Sequence, residues 1–266
     1  VDEEAAPRGK KRDQDEAMMI ERDQDEGKDE GTMKSGGGAD VEQATLSPSG
    51  GDWGAMLLPL LKQPPKPLHF SGMGALERLA LSPQEQPGNV LLVTREFVVA
   101  YDLFPKAKVH LLIMPRLPIS GPSQLRREHV PMLGRMQSLA RWLESRIRMQ
   151  YPQLAPMRAG FHSVPSMRQL HMHLLSLDYA SDSLKSKKHF NSFATDFFVP
   201  PASWERMLLE CGELSIDKHA QELKLKQEMQ CPFTAVPLKN MPTLKAHLAS
   251  PLYLKKLAEM TGSLPC

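Results

Sequence analysis

Residues 160–175, Gly-Phe-His-Ser-Val-Pro-Ser-Met-Arg-Gln-Leu-His-Met-His-Leu-Leu, constrain the fold of this chain more than any other segment. From residue 169 the run alternates, with His171 and His173 set between Leu170, Met172 and Leu174. Successive side chains on a β-strand point to opposite faces. The pattern therefore predicts a strand with one apolar face and both imidazoles on the other. His162 lies upstream, before a Pro165-Ser166 turn. Two imidazoles sharing a strand face point to chemistry at that face.

The flanking periodicities build a domain around this strand. Residues 75–81 read as a short helix that stops before Ser82-Pro83. Residues 89–94 and 96–101 read as paired strands, and after a turn at Pro105 residues 108–114 read as a third. From 125 to 150 the period becomes helical. Leu133, Met136, Ala140, Leu143 and Ile147 form one stripe, with Arg127, Arg135, Arg141 and Arg148 off it. Such a stripe is core packing. Residues 158–164 and 169–177 read as two more strands, and 203–211 as a helix with Ser203 as N-cap and Gly212 as its stop. The order predicts an α+β domain, an antiparallel sheet with one long helix packed on it. This domain is placed at 59–220 and a smaller module at 221–266.

The N-terminal part differs in kind. The first fifty residues contain no Phe, Trp or Tyr, are charged and Gly/Ser-rich, and repeat Arg-Asp-Gln-Asp-Glu at 12–16 and 22–26. Too little apolar surface is available to offset the ordering entropy, so residues 1–58 are expected to be a disordered low-complexity tail. The net charge of +2 conceals an acidic tail and a basic body. A basic body suits a polyanionic partner, and an ordinary solvated surface accounts for it equally well. Cys211, Cys231 and Cys266 are too few and too scattered for a disulfide framework, which points to a reducing compartment. No apolar run reaches the ~18 residues of a membrane span, so no membrane partner is expected. Gly9-Lys10-Lys11-Arg12 could form part of a nuclear import signal.

Histidine is suited to attack phosphorus near neutral pH, because much of it is neutral and no base is needed to create the nucleophile. His171 and His173 could divide the labour, one ring attacking and the other contacting phosphate oxygens or the departing group. His162 would come close to the same centre, and the Ser166 hydroxyl and nearby backbone N–H groups could receive phosphoryl oxygens. Two other readings fit the same spacing. His171 and His173 could ligate a metal with His162 or His110 as the third ligand, although no Asp, Glu or Cys lies within the motif. They could also be histidines without a role.

Residues 169–175 resemble the histidine-triad signature His-φ-His-φ-His-φ-φ, with Gln in the first position. Residues 160–167, Asp178, residues 184–193 (Leu-Lys-Ser-Lys-Lys-His-Phe-Asn-Ser-Phe) and residues 104–115 resemble the aprataxin family. The resemblance runs from about residue 68 to about residue 250. It implies a histidine-triad fold and the reversal of abortive DNA ligation. AMP would be removed from 5′-adenylated DNA through a covalent AMP–histidine intermediate that water resolves. By position, His171 is then the nucleophile, His173 the last histidine of the triad, and His162 the extra histidine that engages the phosphate or the leaving 5′-phosphate. Lys188 is a catalytic-site cation. Asp102 receives the ribose hydroxyls ahead of the Leu103-Phe104-Pro105 turn, and Leu103, Ser166 and Gln169 join the nucleotide site. His69 and Ser71 belong to the nucleotide-side approach segment, with Lys106 and His110 as supporting shell. Without the resemblance, Lys106 and Lys188 read as solvated lysines.

Gln169 departs from the signature, yet the nucleophile position is intact and activity is expected to survive. The C-terminal module departs further. Where the family carries a zinc finger, only Cys231 and His247 remain, with Thr234 and Pro251 at the other two ligand positions. Structural zinc normally takes four ligands, so the count argues against a metal. The apolar positions Phe233, Leu238, Met241, Leu244 and Leu248 are expected to hold a helix–turn–helix shape on their own. Lys185, Lys187, Lys239 and Lys245 are expected to contact DNA phosphates, giving affinity that falls with salt. The overall expectation is a nuclear hydrolase that acts on 5′-adenylated nicked or broken DNA, releases AMP and needs no cofactor. The alternatives are a general histidine-triad hydrolase of small adenosine phosphoramidates or dinucleotides, and an inactive nucleic-acid-binding module.

Overall fold

A computed structural model describes residues 72–262 other than Pro87. The N-terminal tail with its basic run, the proline-rich segment, His69, Ser71 and Cys266 lie outside the described residues. The alternating segments form β1 (Val90–Val93), β2 (Phe97–Tyr101), β3 (His110–Pro115), β4 (Met157–His162), β5 (Met172–Ser176) and β6 (Phe198–Val199). They join in one antiparallel sheet of order β1-β2-β3-β5-β4-β6. The helices are α1 (Ala75–Leu81), α2 (Val130–Gln150), α3 (Lys187–Ala194), α4 (Pro201–Cys211), α5 (Lys218–Lys226), α6 (Met241–Leu248) and α7 (Pro251–Gly262). A small hairpin, β7 (Met229–Gln230) and β8 (Pro237–Leu238), precedes α6.

Period-two alternation sorts the sheet into two faces. Val99, Leu111, Ile113, Met172 and Leu174 pack with the α2 stripe of Leu133, Met136, Leu139, Ala140, Leu143 and Ile147, and with Trp204 and Leu208 of α4. Fully burying each large aliphatic side chain contributes roughly 1.5–3 kcal/mol, which is what holds a single long helix on the sheet. On the reverse face Val98, Ala100, Leu112 and Met114 meet Leu76, Leu79 and Ala80 of α1.

Several boundaries differ from the sequence reading, three of them with a clear physical cause. The long helix begins at Val130, not near 125, because Pro131 lacks an N–H and fits only the first turn, while Arg127–His129 form a 3-10 turn. Likewise α4 begins at Pro201, with Pro200 as its cap, which puts Ser203 inside the first turn. Gly212 ends that helix with φ +84, as expected. The histidine strand starts at Met172, since Gln169 turns the chain with φ +84 and the N–H groups of Gln169 and Leu170 donate to Ser120 and Ile119 instead of to a strand ladder.

The C-terminal elements share a core with the sheet. Leu175, Leu177, Tyr179, Phe190 and Phe198 form one apolar cluster with Met229, Cys231, Leu238, Leu244, Tyr253 and Leu257. The buried Tyr253 hydroxyl donates to the Leu177 carbonyl at 2.6 Å, and the Asn191 amide donates to the carbonyls of Leu225 and Gln227.

Gly160 on β4 pairs with His173 on β5 and lies under the Phe198 ring. A Cβ there would stand 2.6 Å from Phe198 Cε1. Gly160→Ala is therefore expected to cost about 1–3 kcal/mol of stability through overpacking. An unchanged urea midpoint would contradict this close packing.

Candidate active site

The sheet register assembles the histidines. His110 on β3 pairs with Leu175, Leu112 with His173, and Gly160 with His173, so His110, His173 and His162 share the sheet face turned away from α2. Gly160, covered by the Phe198 ring, stands opposite His173, and His162 stands two residues further along β4. Ring centroids are 5.1 Å apart for His110–His173, 4.3 Å for His162–His173 and 4.9 Å for His171–His173. Phe193 of α3 meets the His110 and His173 rings edge-on and closes over His162 at 4.7 Å.

Hydrogen-bond partners fix the proton positions. The Lys106 N–H donates to His110 Nδ1 at 3.1 Å, so that nitrogen carries the lone pair. His110 Nε2–H must then be the donor in its 2.9 Å bond to His173 Nδ1. This leaves His173 Nε2 with the hydrogen, buried and without a hydrogen-bond partner among the described residues. In His171, Nδ1 lies 2.8 Å from the Gln169 carbonyl, which can only accept, so Nδ1 carries the hydrogen and Nε2 the lone pair. One ring thus presents a lone pair, and its neighbour presents an N–H.

Burial keeps all four rings neutral. Desolvation lowers the pKa of His171, against the pull of the Gln169 carbonyl and of Asp102. His162 and His173 are pushed well below the usual histidine value by desolvation and then by neighbouring histidines. His110 falls to about 4, again mainly by burial, with Asp102 3.6 Å away opposing the shift. Lys106 is lowered by burial, which the Asp102 charge partly offsets. An unfolded chain takes up these protons below pH ~6.5 while the folded one refuses them down to about pH 4 for His110. Stability is thus complete above pH ~6.5 and is lost as pH falls from there towards 4. His110 alone contributes a loss on the order of 3 kcal/mol across that window. Urea midpoints that stay level between pH 7 and 4.5 would contradict neutral burial.

The predicted site residues divide into two groups. His162, His171, His173, His110 and Asp102 come together, with Lys106 acting on His110, His162 and His173 through its charge. Leu103 is half-buried beside Asp102, whose Oδ1 accepts from the Phe104 N–H at 2.7 Å. Gln169 lies two residues before His171, with its side chain turned to the carbonyls of Pro115 and Leu117. Ser166 is exposed on a 163–168 loop that borders a cleft of about 360 Å³, with Ser120, Ser123, Arg168 and Lys218 on its walls. Lys188 is exposed on the first turn of α3, and Lys185 is exposed just before it. Lys187 pairs with Glu228 at 3.0 Å, whereas Lys239 and Lys245 are exposed on the C-terminal elements. Phe193 is the site residue that residue-by-residue reasoning passed over. Its signal was the aromatic spacing of residues 190–193, which places Phe190 and Phe193 on one helical face.

Two places bear on metal. Asp102, His110 and His173 are the one group of possible ligands among the described residues, but His110 Nε2 and His173 Nδ1 are committed to each other. In the C-terminal module Cys231 is buried, and His247 Nε2 shares a 3.0 Å hydrogen bond with Thr234 Oγ1. A hydroxyl occupies the nitrogen that zinc would need, and Pro251 offers no ligand, so these residues do not fit a structural zinc site. Metal analysis is expected to find no stoichiometric zinc, and a chelator is expected to leave the melting temperature unchanged. One zinc per chain would overturn that.

The sequence matches the family model described as "Scavenger mRNA decapping enzyme C-term binding" over residues 78–189. It is 36% identical to the aprataxin of Ciona intestinalis over 166 residues, 62% of this chain and 43% of that protein. To the aprataxin of Danio rerio it is 38% identical over 157 residues, 58% of this chain and 47% of that one. The chain therefore spans a little under half the length of these relatives. The aprataxin orthologue Hnt3 in complex with DNA superposes with a TM-score of 0.55 at 25% identity, covering 71% of this chain and 98% of that one. Hnt3 from Schizosaccharomyces pombe superposes with a TM-score of 0.55 at 26% identity, covering 69% and 94%.

Proposed function

We propose that this chain, which is an aprataxin-like protein of the histidine-triad superfamily, is a DNA-end-processing hydrolase that removes AMP from 5′-adenylated nicked or broken DNA. The observation that carries the reading is the pairing of a lone pair on His171 Nε2 with an unpartnered Nε2–H on His173. Such a pair is what nucleophilic attack at phosphorus requires, a neutral nucleophile beside a donor aimed at developing negative charge.

In the proposed first step His171 Nε2 attacks the adenylate phosphorus. An N–P bond forms, the phosphoanhydride P–O bond breaks, and the DNA 5′-phosphate departs with the bond electrons. In the second, water attacks the same phosphorus and releases a proton to solvent as the N–P bond breaks, leaving AMP and free His171. His173 Nε2–H would bond a non-bridging oxygen, and His162, whose other ring nitrogen donates to the Ser192 carbonyl, would meet the leaving phosphate by taking up a proton at its buried Nε2. Asp102 would accept from the ribose hydroxyls, with Leu103 beside it. His69 and Ser71 are proposed for the nucleotide's approach, Lys106 and His110 for its support, and Ser166 for a phosphoryl oxygen. Lys188 would contribute positive charge at the rim. The exposed Lys185, Lys239 and Lys245, together with Lys187, would contact DNA phosphates, with about one unit of salt slope per contact. The proposed steps call on ring nitrogens and lysines, with no step routed through a metal. The site of action is proposed to be the nucleus, in keeping with a DNA substrate and with a relative crystallised on DNA.

The test is AMP release from a 5′-adenylated nicked duplex. Release with a linear salt dependence of binding supports the reading. DNA binding without release would favour an inactive binding module. Turnover of adenosine phosphoramidate without DNA affinity would favour a small-molecule histidine-triad hydrolase.

A further inference from the structure

We infer that Gln169 is a positioning residue whose side-chain amide fixes the tautomer of the nucleophilic histidine. The turnover arm of its test rests on the proposed function, whereas the spectroscopic arm does not.

Gln169 is 0% exposed and is one of three non-glycine residues with positive φ among those described. A left-handed residue with a Cβ is sterically strained, so the conformation persists only where other bonds impose it. Those bonds are present on every side. The Gln169 N–H donates to the Ser120 carbonyl at 3.0 Å. Its Nε2 donates to the Pro115 carbonyl at 2.6 Å and to the Leu117 carbonyl at 2.9 Å, spanning the end of β3. The turned backbone then points the Gln169 carbonyl at His171 Nδ1, 2.8 Å away.

The chemistry of this lock is restrictive. Both acceptors are carbonyl oxygens, so the group between them must offer two hydrogens from one atom, as an amide NH₂ does. A neutral imidazole has one N–H and could hold only one of the two carbonyls. A carboxylate has none. Gln169 keeps this arrangement although its Oε1 is buried without a hydrogen-bond partner among the described residues. An unpaired buried acceptor is destabilising, and a methionine of similar shape would carry none. The two donor bonds are therefore the reason for an amide at this position. They hold the carbonyl that keeps hydrogen on His171 Nδ1 and the lone pair on Nε2.

The titratable groups acting on His171 are Asp102, His110, His162 and His173, and none of them is altered by substituting Gln169. Gln169→Glu keeps the size but offers one hydrogen when protonated and none when ionised, so it can hold one of the two carbonyls at low pH and neither at high pH. Its kcat is expected to fall about 10-fold or more per mutant-specific deprotonation as pH rises, with KM within about twofold, because a misaligned general group loses roughly that much. Wild type is expected to show no such limb, and recovery of the variant at lower pH shows that it is folded. Independently, nitrogen NMR of the ring is expected to report the Nδ1–H tautomer of His171 in wild type and a tautomer mixture in Gln169→Met. A Gln169→Glu pH profile that superposes on wild type, or an unchanged His171 tautomer in folded Gln169→Met, would overturn the inference. If wild type releases no AMP, the proposed function fails while the tautomer measurement still decides the role of Gln169.

Discussion

The His171→Ala protein is expected to release AMP from 5′-adenylated DNA at least about 10⁴-fold more slowly than wild type, because the group that forms the covalent bond is gone. His171 is the ring whose Nδ1 is held by a carbonyl, so its Nε2 is the nitrogen with a committed lone pair. Neither His173 nor His110 can replace it. The former has its lone pair on Nδ1, bonded to His110, and the latter has its own on Nδ1, bonded to the Lys106 N–H. The loss should appear in kcat, with DNA affinity nearly unchanged. Acid-quenched wild type should carry AMP on the protein, and His171→Ala should carry none. Residual turnover within tenfold of wild type would show that another group attacks the phosphorus.

The second large effect is expected from His173→Ala, a fall in kcat of about 10²–10³ with a small change in KM. That is the range found when one preorganised donor to a transition-state oxygen is removed. The Lys106 amide, His110 and His173 form one directional series of bonds that ends on His173 Nε2–H. His173→Gln, which can still donate an N–H, is expected to recover part of the loss. Equal rates for Ala and Gln would remove the donor role. A melting comparison separates this from unfolding, because His173 is also packed against Phe193 and Phe198.

Much of the fold was legible because single-residue periodicity carries it. The stripe of α2 and the alternation of β2, β3 and β5 are local patterns, and packing realised them on the expected faces. What was not legible came from partners distant in sequence. Periodicity extends the histidine strand back to residue 169, but Ser120 and Ile119 take the N–H groups of Gln169 and Leu170, and the strand begins at Met172. His171 thus meets His173 from just outside the strand rather than as its same-face neighbour within it. The short helix α5 carries little stripe of its own, burying only Leu225, and is held to α3 by contacts such as the Asn191 amide on Leu225 and Gln227. Phe193 escaped for the same reason, since its role depends on α3 lying against the histidine face.

By itself, the sequence determined which residue types could act, a closely spaced set of imidazoles on an apolar strand. It also set Thr234 and Pro251 at two of the four positions where the family resemblance would place zinc ligands. Only the tertiary structure decided which nitrogen on each ring holds the hydrogen. That choice belongs to carbonyls and amides from other segments, Gln169 for His171 and Lys106 through His110 for His173. A neutral imidazole has two places for one proton, and the partner that each nitrogen meets in the folded chain selects between them.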